Sequence, residues 1–255
     1  MSVAIAPVVR RLAPLVFFLA APSFAEMADT IERIKPSIVV VGTYQKTGSP
    51  QFVLRGTGFV VGNGNLVATN AHVVPDSTES DAPALVIQAR SSNGEPQVRR
   101  AFLASRDKEH DLAVLRIEGP SLPTLKLRNS DSVREGQPVG FTGFPIGGVL
   151  GFSPVTHRGM VSSVTPIALP GGNARNLNEK LIHRIKSGTF NIFQLDATAY
   201  PGNSGSPVFD ITTGDVIGII NMVFIKGSKE AALSQPSGIT YAIPANYLQE
   251  LLALP

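Results

Sequence analysis

The sequence of 255 residues contains no cysteine, and only 16% of its residues are charged. Without cysteine, a disulfide framework, a thiol nucleophile and a thiolate metal site are all excluded. Four histidines without a His-Glu-x-x-His motif give little support to a zinc protease. No metal and no other cofactor are therefore expected.

The sequence also lacks an apolar run at its N-terminus long enough to cross a bilayer as a helix. The run there covers only residues 12–21, follows two arginines at 10–11, and precedes small residues at Ser23 and Ala25. This order is typical of an export signal that is cleaved after Ala25, so residues 1–25 are interpreted as a signal peptide. A periplasmic location is favoured over a secreted one, and the alternative is an uncleaved N-terminal anchor.

A strong charge of either sign is missing as well. Removal of the leader leaves 20 basic and 19 acidic side chains, so the mature chain is nearly neutral. This composition gives no basis for binding to nucleic acid or to an acidic membrane surface. In contrast, 24 glycines and 20 prolines indicate frequent chain reversals between short strands.

Two blocks of short strand-like segments follow the leader, each segment bounded by Gly, Pro, Asn or Ser. The first block contains Ile38–Thr43, Phe52–Val61, Leu66–Thr69, Ala84–Gln88, Val98–Ala104 and Leu112–Ile117. The second contains Val139–Thr142, Ser153–Val164, Thr189–Asp196, Pro207–Phe209, Val216–Val223 and Ile239–Ile243. A linker at Gly119–Asp131 separates them, which predicts domains at residues 26–125 and 126–255.

Helices are predicted near the two ends of the mature chain. The segment Asp29–Lys35 is expected to form a short helix that Asp29 caps and Pro36 ends. Apolar residues recur at helical spacing in Tyr247–Leu252, which predicts a terminal helix on the second block. A long loop is expected at Pro170–Lys186.

Three motifs carry candidate chemistry, and each lies where a strand meets a loop. They surround His72, Asp111 and Ser204, in that order along the chain. Ser204 is the candidate nucleophile, His72 the base that takes its proton, and Asp111 the carboxylate that orients His72. The nucleophile run Gly-Asn-Ser-Gly-Ser does not fit the Gly-x-Ser-x-Gly elbow of α/β-hydrolases.

An oxyanion hole is predicted at Gly202, Asn203 and Ser204. Glycines on both sides of Ser204 allow the backbone to turn its N–H groups inward, and the N–H groups of Gly202 and Ser204 are the expected donors. His110, His157 and His183 have no partner motif and are interpreted as surface or strand residues.

These motifs resemble those of bacterial trypsin-like peptidases, particularly the HtrA/Deg type. Further matching segments are Gly56–Val61, Val216–Ile219 and Gly238–Pro244, and the similarity extends from Ile38 to Leu252. The resemblance is to the peptidase domain without the PDZ domains that follow it in the family. It implies an all-β fold of two six-stranded antiparallel β-barrels with a C-terminal helix, and an active site between the barrels.

The same resemblance implies a primary specificity pocket with uncharged walls, formed by Thr198, Ala199, Tyr200, Ile220, Asn221 and Met222. A preference for small or medium apolar side chains before the cleaved bond is therefore expected. Asp196, just upstream, is interpreted as a carboxylate that braces a loop, with a place at the pocket base as the alternative. Ser206 departs from the family, which usually has a second glycine at that position.

The sequence thus predicts an exported serine endopeptidase that hydrolyses unfolded or exported polypeptides through an acyl-enzyme. The alternative is a latent or non-cleaving scaffold that binds unfolded polypeptides, with the Gly202 N–H turned outward. HtrA-type relatives often trimerise through N-terminal segments, so residues 27–36 are a candidate contact in a homo-oligomer.

Overall fold

The computed structural model describes residues 24–76, 82–91, 94–145, 152–166, 190–222 and 238–254. Most of these residues form two closed antiparallel barrels of six strands each. The first contains β1 (Ile38–Tyr44), β2 (Phe52–Val61), β3 (Leu66–Asn70), β4 (Ala84–Arg90), β5 (Pro96–Asp107) and β6 (Leu112–Ile117), in the order β1-β2-β3-β6-β5-β4. The second contains β7 (Pro138–Gly143), β8 (Val155–Pro166), β9 (Asn191–Asp196), β10 (Pro207–Asp210), β11 (Val216–Asn221) and β12 (Ile239–Pro244), in the order β10-β11-β12-β9-β8-β7. The expected double-barrel fold is confirmed.

Strand β1 shows why a run of apolar residues forms these barrels. Successive side chains of a strand point to opposite faces, and both faces of β1 are covered. Val39 and Val41 fill the interior of the first barrel. Ile38 and Val40 point the other way, into a core that also contains Phe209 and residues from both helices. This shared core fixes the two barrels against each other.

Helix α1 (Phe24–Ile34) precedes the first barrel and leads into a 3₁₀ turn at Lys35–Ser37. The prediction that Asp29 caps this helix is wrong, because the helix begins at Phe24 and Asp29 lies inside it. The longer helix docks on the second barrel, where Arg33 donates to the carbonyl of Thr213 over 2.9 Å. The α-helix ends before Pro36, as predicted.

Helix α2 (Ala245–Ala253) follows the last strand and confirms the predicted terminal helix. It packs on β11 and also on β5 and β6 of the first barrel, so it contacts both halves of the molecule. No helix in the described ranges is long and apolar enough to span a membrane.

The segment between the barrels changes its hydrogen-bonding partners at one point. Leu125 N donates to Val60 O in the first barrel, whereas Lys126 O accepts from Val216 N in the second. Three predictions fall wholly or largely outside the described residues: the signal peptide at residues 1–25, of which the structure describes only 24–25, the loop at Pro170–Lys186, and His183.

Candidate active site

His72 lies in a 3₁₀ turn at Ala71–Val73, directly after β3. Its Nδ1 is 2.6 Å from Asp111 Oδ2, and its backbone N–H donates to Asp111 Oδ1 over 2.9 Å. One carboxylate therefore holds both the ring and the backbone of His72. With Nδ1 engaged, Nε2 is the ring nitrogen left to exchange a proton with a substrate or a nucleophile.

Asp111 occupies the turn between β5 and β6 with a backbone φ of 55°. This left-handed conformation costs on the order of 1 kcal/mol or more for a residue with a Cβ, so its neighbours must hold it in place. Its carbonyl accepts from Ala71 N over 2.9 Å and from the side chain of Asn70 over 3.1 Å. Its Oδ2 also accepts from Asn221 Nδ2 over 2.7 Å.

Residues 200–206, which contain the candidate nucleophile Ser204 and are called the nucleophile turn below, have a defined backbone shape. Asn203 N donates to Tyr200 O over 2.9 Å, and Gly202 has a φ of +103°. Proline at the second position and a glycine with positive φ at the third are the signature of a type II turn. Gly205, with a φ of +87°, passes so close to the first barrel that a Cβ there would overlap the carbonyl oxygen of Thr57.

Thr57 of β2 holds this turn from the first barrel. Its N–H donates to Ser204 O over 2.8 Å, and its hydroxyl donates to Gly202 O over 2.7 Å. The same hydroxyl accepts from Phe144 N over 3.0 Å. The carbonyls of Gly202 and Ser204 are thereby anchored on the first barrel.

The N–H groups of Gly202 and Ser204 donate to no acceptor in the described part of the chain. They are therefore available to an oxygen of a substrate. The Asn203 N–H donates to Tyr200 O within the turn. The assignment of Gly202, Asn203 and Ser204 to an oxyanion hole stays a prediction. The side-chain amide of Asn203 is buried, and neither amide atom has a partner among the described residues.

Gly56 brings the nucleophile turn and the histidine turn together. A Cβ on Gly56 would lie 2.9 Å from Ser204 O on one side and 2.7 Å from Val73 Cγ2 on the other. Val73 is the residue next to His72, so the two turns approach each other across this glycine. Within the described residues His72 and Ser204 share no hydrogen bond, which is common for catalytic pairs without a bound substrate.

The residues predicted to wall the specificity pocket form two segments that flank the nucleophile turn. Ile220 makes two backbone hydrogen bonds to this turn: its N–H donates to Ser206 O, and its carbonyl accepts from Gly205 N. Its side chain packs inside the second barrel, and Met222 packs against the same core. The side chain of Asn221 points to Asp111, so at Ile220 and Asn221 the backbone is the part left to line a pocket.

The other segment, Thr198–Tyr200, follows β9. Ala199 is buried and its N–H donates to Thr240 Oγ1 over 3.1 Å, whereas Thr198 and Tyr200 are partly exposed. Asp196 is exposed at the end of β9. The pocket assignment stays a prediction.

A buried polar cluster lies behind the nucleophile turn. Ser206 Oγ and both amide atoms of Asn203 are buried without partners among the described residues. They surround Gly143, where a Cβ would overlap Ser206 Oγ and would lie 2.8 Å from Asn203 Oδ1 and from Thr57 Oγ1. The hydroxyl of Ser206 therefore occupies space that only a glycine at 143 leaves open.

Sequence reasoning missed three polar side chains at this site. Thr57 belongs to the Gly-Thr-Gly run that carries part of the family resemblance, so a signal for it exists. Asn221 is assigned to the pocket, and nothing in its local pattern shows that its amide reaches Asp111. His157 of β8 stacks on Phe141 with ring centroids 4.7 Å apart and lies 6.1 Å from the ring of Tyr200.

Burial lowers the pKa of His157 below its ordinary value, which favours the neutral imidazole. Its Nε2 is buried without a partner among the described residues. No group of three His, Asp or Glu side chains in the described ranges is arranged to hold a metal ion.

Comparisons with known proteins show the family of this chain. The family model described as "Trypsin-like peptidase domain" matches residues 56–219. A probable periplasmic serine endoprotease DegP-like from Pseudomonas fulva is 30% identical over 197 residues, which are 77% of this chain and 33% of the relative. The mitochondrial serine protease HTRA2 of Bos taurus is 30% identical over 234 residues, 89% of this chain and 42% of the relative. This chain therefore spans less than half the length of these relatives.

Solved structures show the same relationship. The HtrA-type protease AlgW with a tripeptide has a TM-score of 0.62 and 27% identity, over 89% of this chain and 62% of that one. A serine endoprotease from Yersinia pestis, with a TM-score of 0.62 and 21% identity over 91% of this chain and 66% of that one, shares the fold. The chain belongs to the trypsin-like peptidase family, as a peptidase domain related to the HtrA-type serine proteases.

Proposed function

We propose that this chain is a serine endopeptidase that hydrolyses peptide bonds through His72, Asp111 and Ser204. The observation that carries the proposal is the 2.6 Å contact between His72 Nδ1 and Asp111 Oδ2, on the barrel that faces the Ser204 turn. This contact fixes the ring in the orientation that a general base needs.

In the proposed reaction, Ser204 Oγ attacks the carbonyl carbon of the scissile bond while His72 Nε2 takes its proton. The imidazolium that forms is stabilised by Asp111, and it then gives the proton to the leaving amine. The acyl group stays on Ser204 until water, deprotonated by His72, attacks the ester. The bond to Ser204 Oγ then breaks, His72 returns the proton to this oxygen, and the acid is released.

The shape of the nucleophile turn supports an oxyanion hole that is already formed. A carbonyl oxygen that becomes negatively charged can accept from the N–H groups of Gly202 and Ser204, since no described residue uses them. Each donor of this kind contributes roughly 10²–10³ in rate. The Thr57 hydroxyl anchors the next peptide of the turn through Gly202 O, which supports a fixed backbone on the Ser204 side of the proposed hole.

We also propose that the mature chain is exported and acts on unfolded or exported polypeptides. The apolar leader in the sequence and the relative described as periplasmic support export, with cleavage near Ala25. The change of hydrogen-bonding partners between Leu125 and Lys126 supports the division into domains at that point. The exposed residues of α1 within 27–36 are the proposed contact in a homo-oligomer.

The test uses the mature protein and its Ser204→Ala variant. A fluorophosphonate probe should label the parent and leave the variant unlabelled, and the parent should degrade unfolded casein. Retained binding of casein without labelling or cleavage under any condition would favour the scaffold alternative. A peptide library should show uncharged side chains before the cleaved bond, and dominance of Arg, Lys or Glu there would overturn the predicted pocket.

A further inference from the structure

The turn that carries Asp111 is connected to the second half of the molecule through a cluster of rings. His110, the residue before Asp111, stacks on Tyr247 of α2 with centroids 4.0 Å apart and planes 14° apart. Phe190, just before β9, meets the edge of His110 at 4.6 Å and of Tyr247 at 5.5 Å. One ring of this cluster thus comes from the first barrel and two come from the second half of the chain.

The His110 ring is also fixed to its own turn. Its Nδ1 is 2.5 Å from Asp107 Oδ2, and Oδ1 of the same carboxylate accepts from the backbone N–H groups of Glu109 and His110. Asp107 ends β5, so these bonds tie the ring to the end of a barrel strand. A displacement of the ring must therefore move the backbone on which Asp111 is carried.

Asp111 is the residue whose placement matters most for this turn. Its φ of 55° is unfavourable for a residue with a Cβ and persists only where the surroundings impose it. Its carboxylate binds His72 in the first barrel and Asn221 in the second. These bonds can form together only if the turn keeps its position relative to the second barrel.

We propose that His110 is a positioning residue for Asp111, which it holds in register with the second barrel by stacking on Tyr247. The inference rests on the proposed peptidase function, because the role of His110 is defined by its effect on the His72–Asp111 pair. Asn221 constrains the carboxylate itself, whereas the ring cluster constrains the backbone that carries it.

The experiment compares variants of the mature protein on a chromogenic peptide substrate. Tyr247→Phe keeps the ring, whereas Tyr247→Ala and His110→Ala remove the stack. We expect kcat to fall about tenfold in the two alanine variants with KM within about twofold of the parent, and Tyr247→Phe to stay close to the parent. If Tyr247→Ala does not fold, Tyr247→Leu takes its place. Leucine preserves most of the packed volume without a flat ring, so kcat should again fall about tenfold.

A matched control comes from a second pair of rings that also joins the two barrels. Phe52 and Phe152 meet edge to face at 5.2 Å, and neither belongs to the Asp107–Asp111 turn or to α2. Phe152→Ala should lower thermal stability and leave kcat within about twofold of the parent. A loss of kcat as large as that of Tyr247→Ala would show that any weakened contact between the barrels slows the reaction, which would overturn a specific role for His110.

A readout independent of turnover is the low-field proton resonance of His72 Nδ1–H, hydrogen-bonded to Asp111. It should be present in the parent, Tyr247→Phe, Phe152→Ala and Ser204→Ala, and broadened or lost in His110→Ala and Tyr247→Leu. An unchanged resonance together with an unchanged kcat in these last two variants would overturn the proposal. If the parent itself shows no activity, the peptidase proposal fails, and the resonance still decides whether the ring cluster positions Asp111.

Discussion

The side-chain amide of Asn221 donates to Oδ2 of Asp111 over 2.7 Å, and the two residues belong to different barrels. Asn221 ends β11, the strand that runs beside the nucleophile turn, and it is fully buried. The carboxylate that orients His72 is therefore held partly by the barrel that carries Ser204. The proposed catalytic geometry therefore depends on the contact between the two barrels as well as on each barrel.

Replacement of Asn221 should test this contact. In Asn221→Ala the carboxylate loses one of its three described donors, so the His72 ring is held less firmly. We expect kcat/KM on a peptide substrate to fall by about tenfold or more. The loss should be mainly in kcat, because Asp111 acts by orienting the proposed general base. Asn246→Ala is the matched control, since that amide binds Asp131 and contacts no triad residue. Equal activity of Asn221→Ala and the parent would contradict the role.

A second prediction concerns Thr57, whose hydroxyl binds Gly202 O and accepts from Phe144 N. Thr57→Val keeps the shape of the side chain but leaves Gly202 O without its donor and Phe144 N without its acceptor. The nucleophile turn should therefore lose its fixed orientation. We expect labelling by a fluorophosphonate to slow about tenfold to a hundredfold, because the phosphonyl oxygen would accept from the N–H groups of Gly202 and Ser204 in this turn.

Thr57→Ser supplies the control, since it retains the hydroxyl and should label at a rate close to that of the parent. A valine variant that labels as fast as the serine variant would show that the turn keeps its shape without the Thr57 hydroxyl.

The space between Gly143 and Ser206 gives a third prediction. In Gly143→Ala the new Cβ overlaps Ser206 Oγ, so the free energy of unfolding should fall by about 1–3 kcal/mol, as for overpacking of a core. Adding Ser206→Gly removes the overlapping hydroxyl and should recover part of the loss. Urea unfolding of the four members of this double-mutant cycle measures the coupling, and additive effects would refute the clash.

The sequence predicts the barrels well because their strands are set by local patterns: apolar residues with turn residues on either side. The three residues of the proposed triad are found in the same way, since their motifs are local and appear in the family order. The amide of Asn221 and the ring of His110 are different. Each contacts a residue that is distant in sequence, His110 stacking on Tyr247 and Asn221 binding Asp111, so no local pattern records these contacts.

The correction at Asp29 concerns a helix boundary. Local capping signals place the start of α1 at Asp29, but the helix begins at Phe24, so Asp29 lies in its interior. Sequence patterns determine the existence of a helix better than its first residue.

His157 provides a prediction on pH. Burial lowers its pKa in the folded protein below the value of about 6.5 that it has in an unfolded chain. Between these two values the unfolded state binds the proton more readily, so the contribution of His157 to the free energy of unfolding falls as the pH falls below about 6.5. Above about 6.5 both states are neutral at this side chain and its contribution does not change with pH.

The measurement is urea unfolding of the parent and of His157→Phe between about pH 5 and pH 8. Phenylalanine keeps a ring against Phe141 and cannot be protonated, so the variant should show a shallower loss of stability on acidification than the parent. All other titrating groups, including His72 and His110, remain in both proteins and cancel in the difference. A difference between the two curves that is constant across this pH range would show that His157 is as easily protonated in the folded protein as in the unfolded chain.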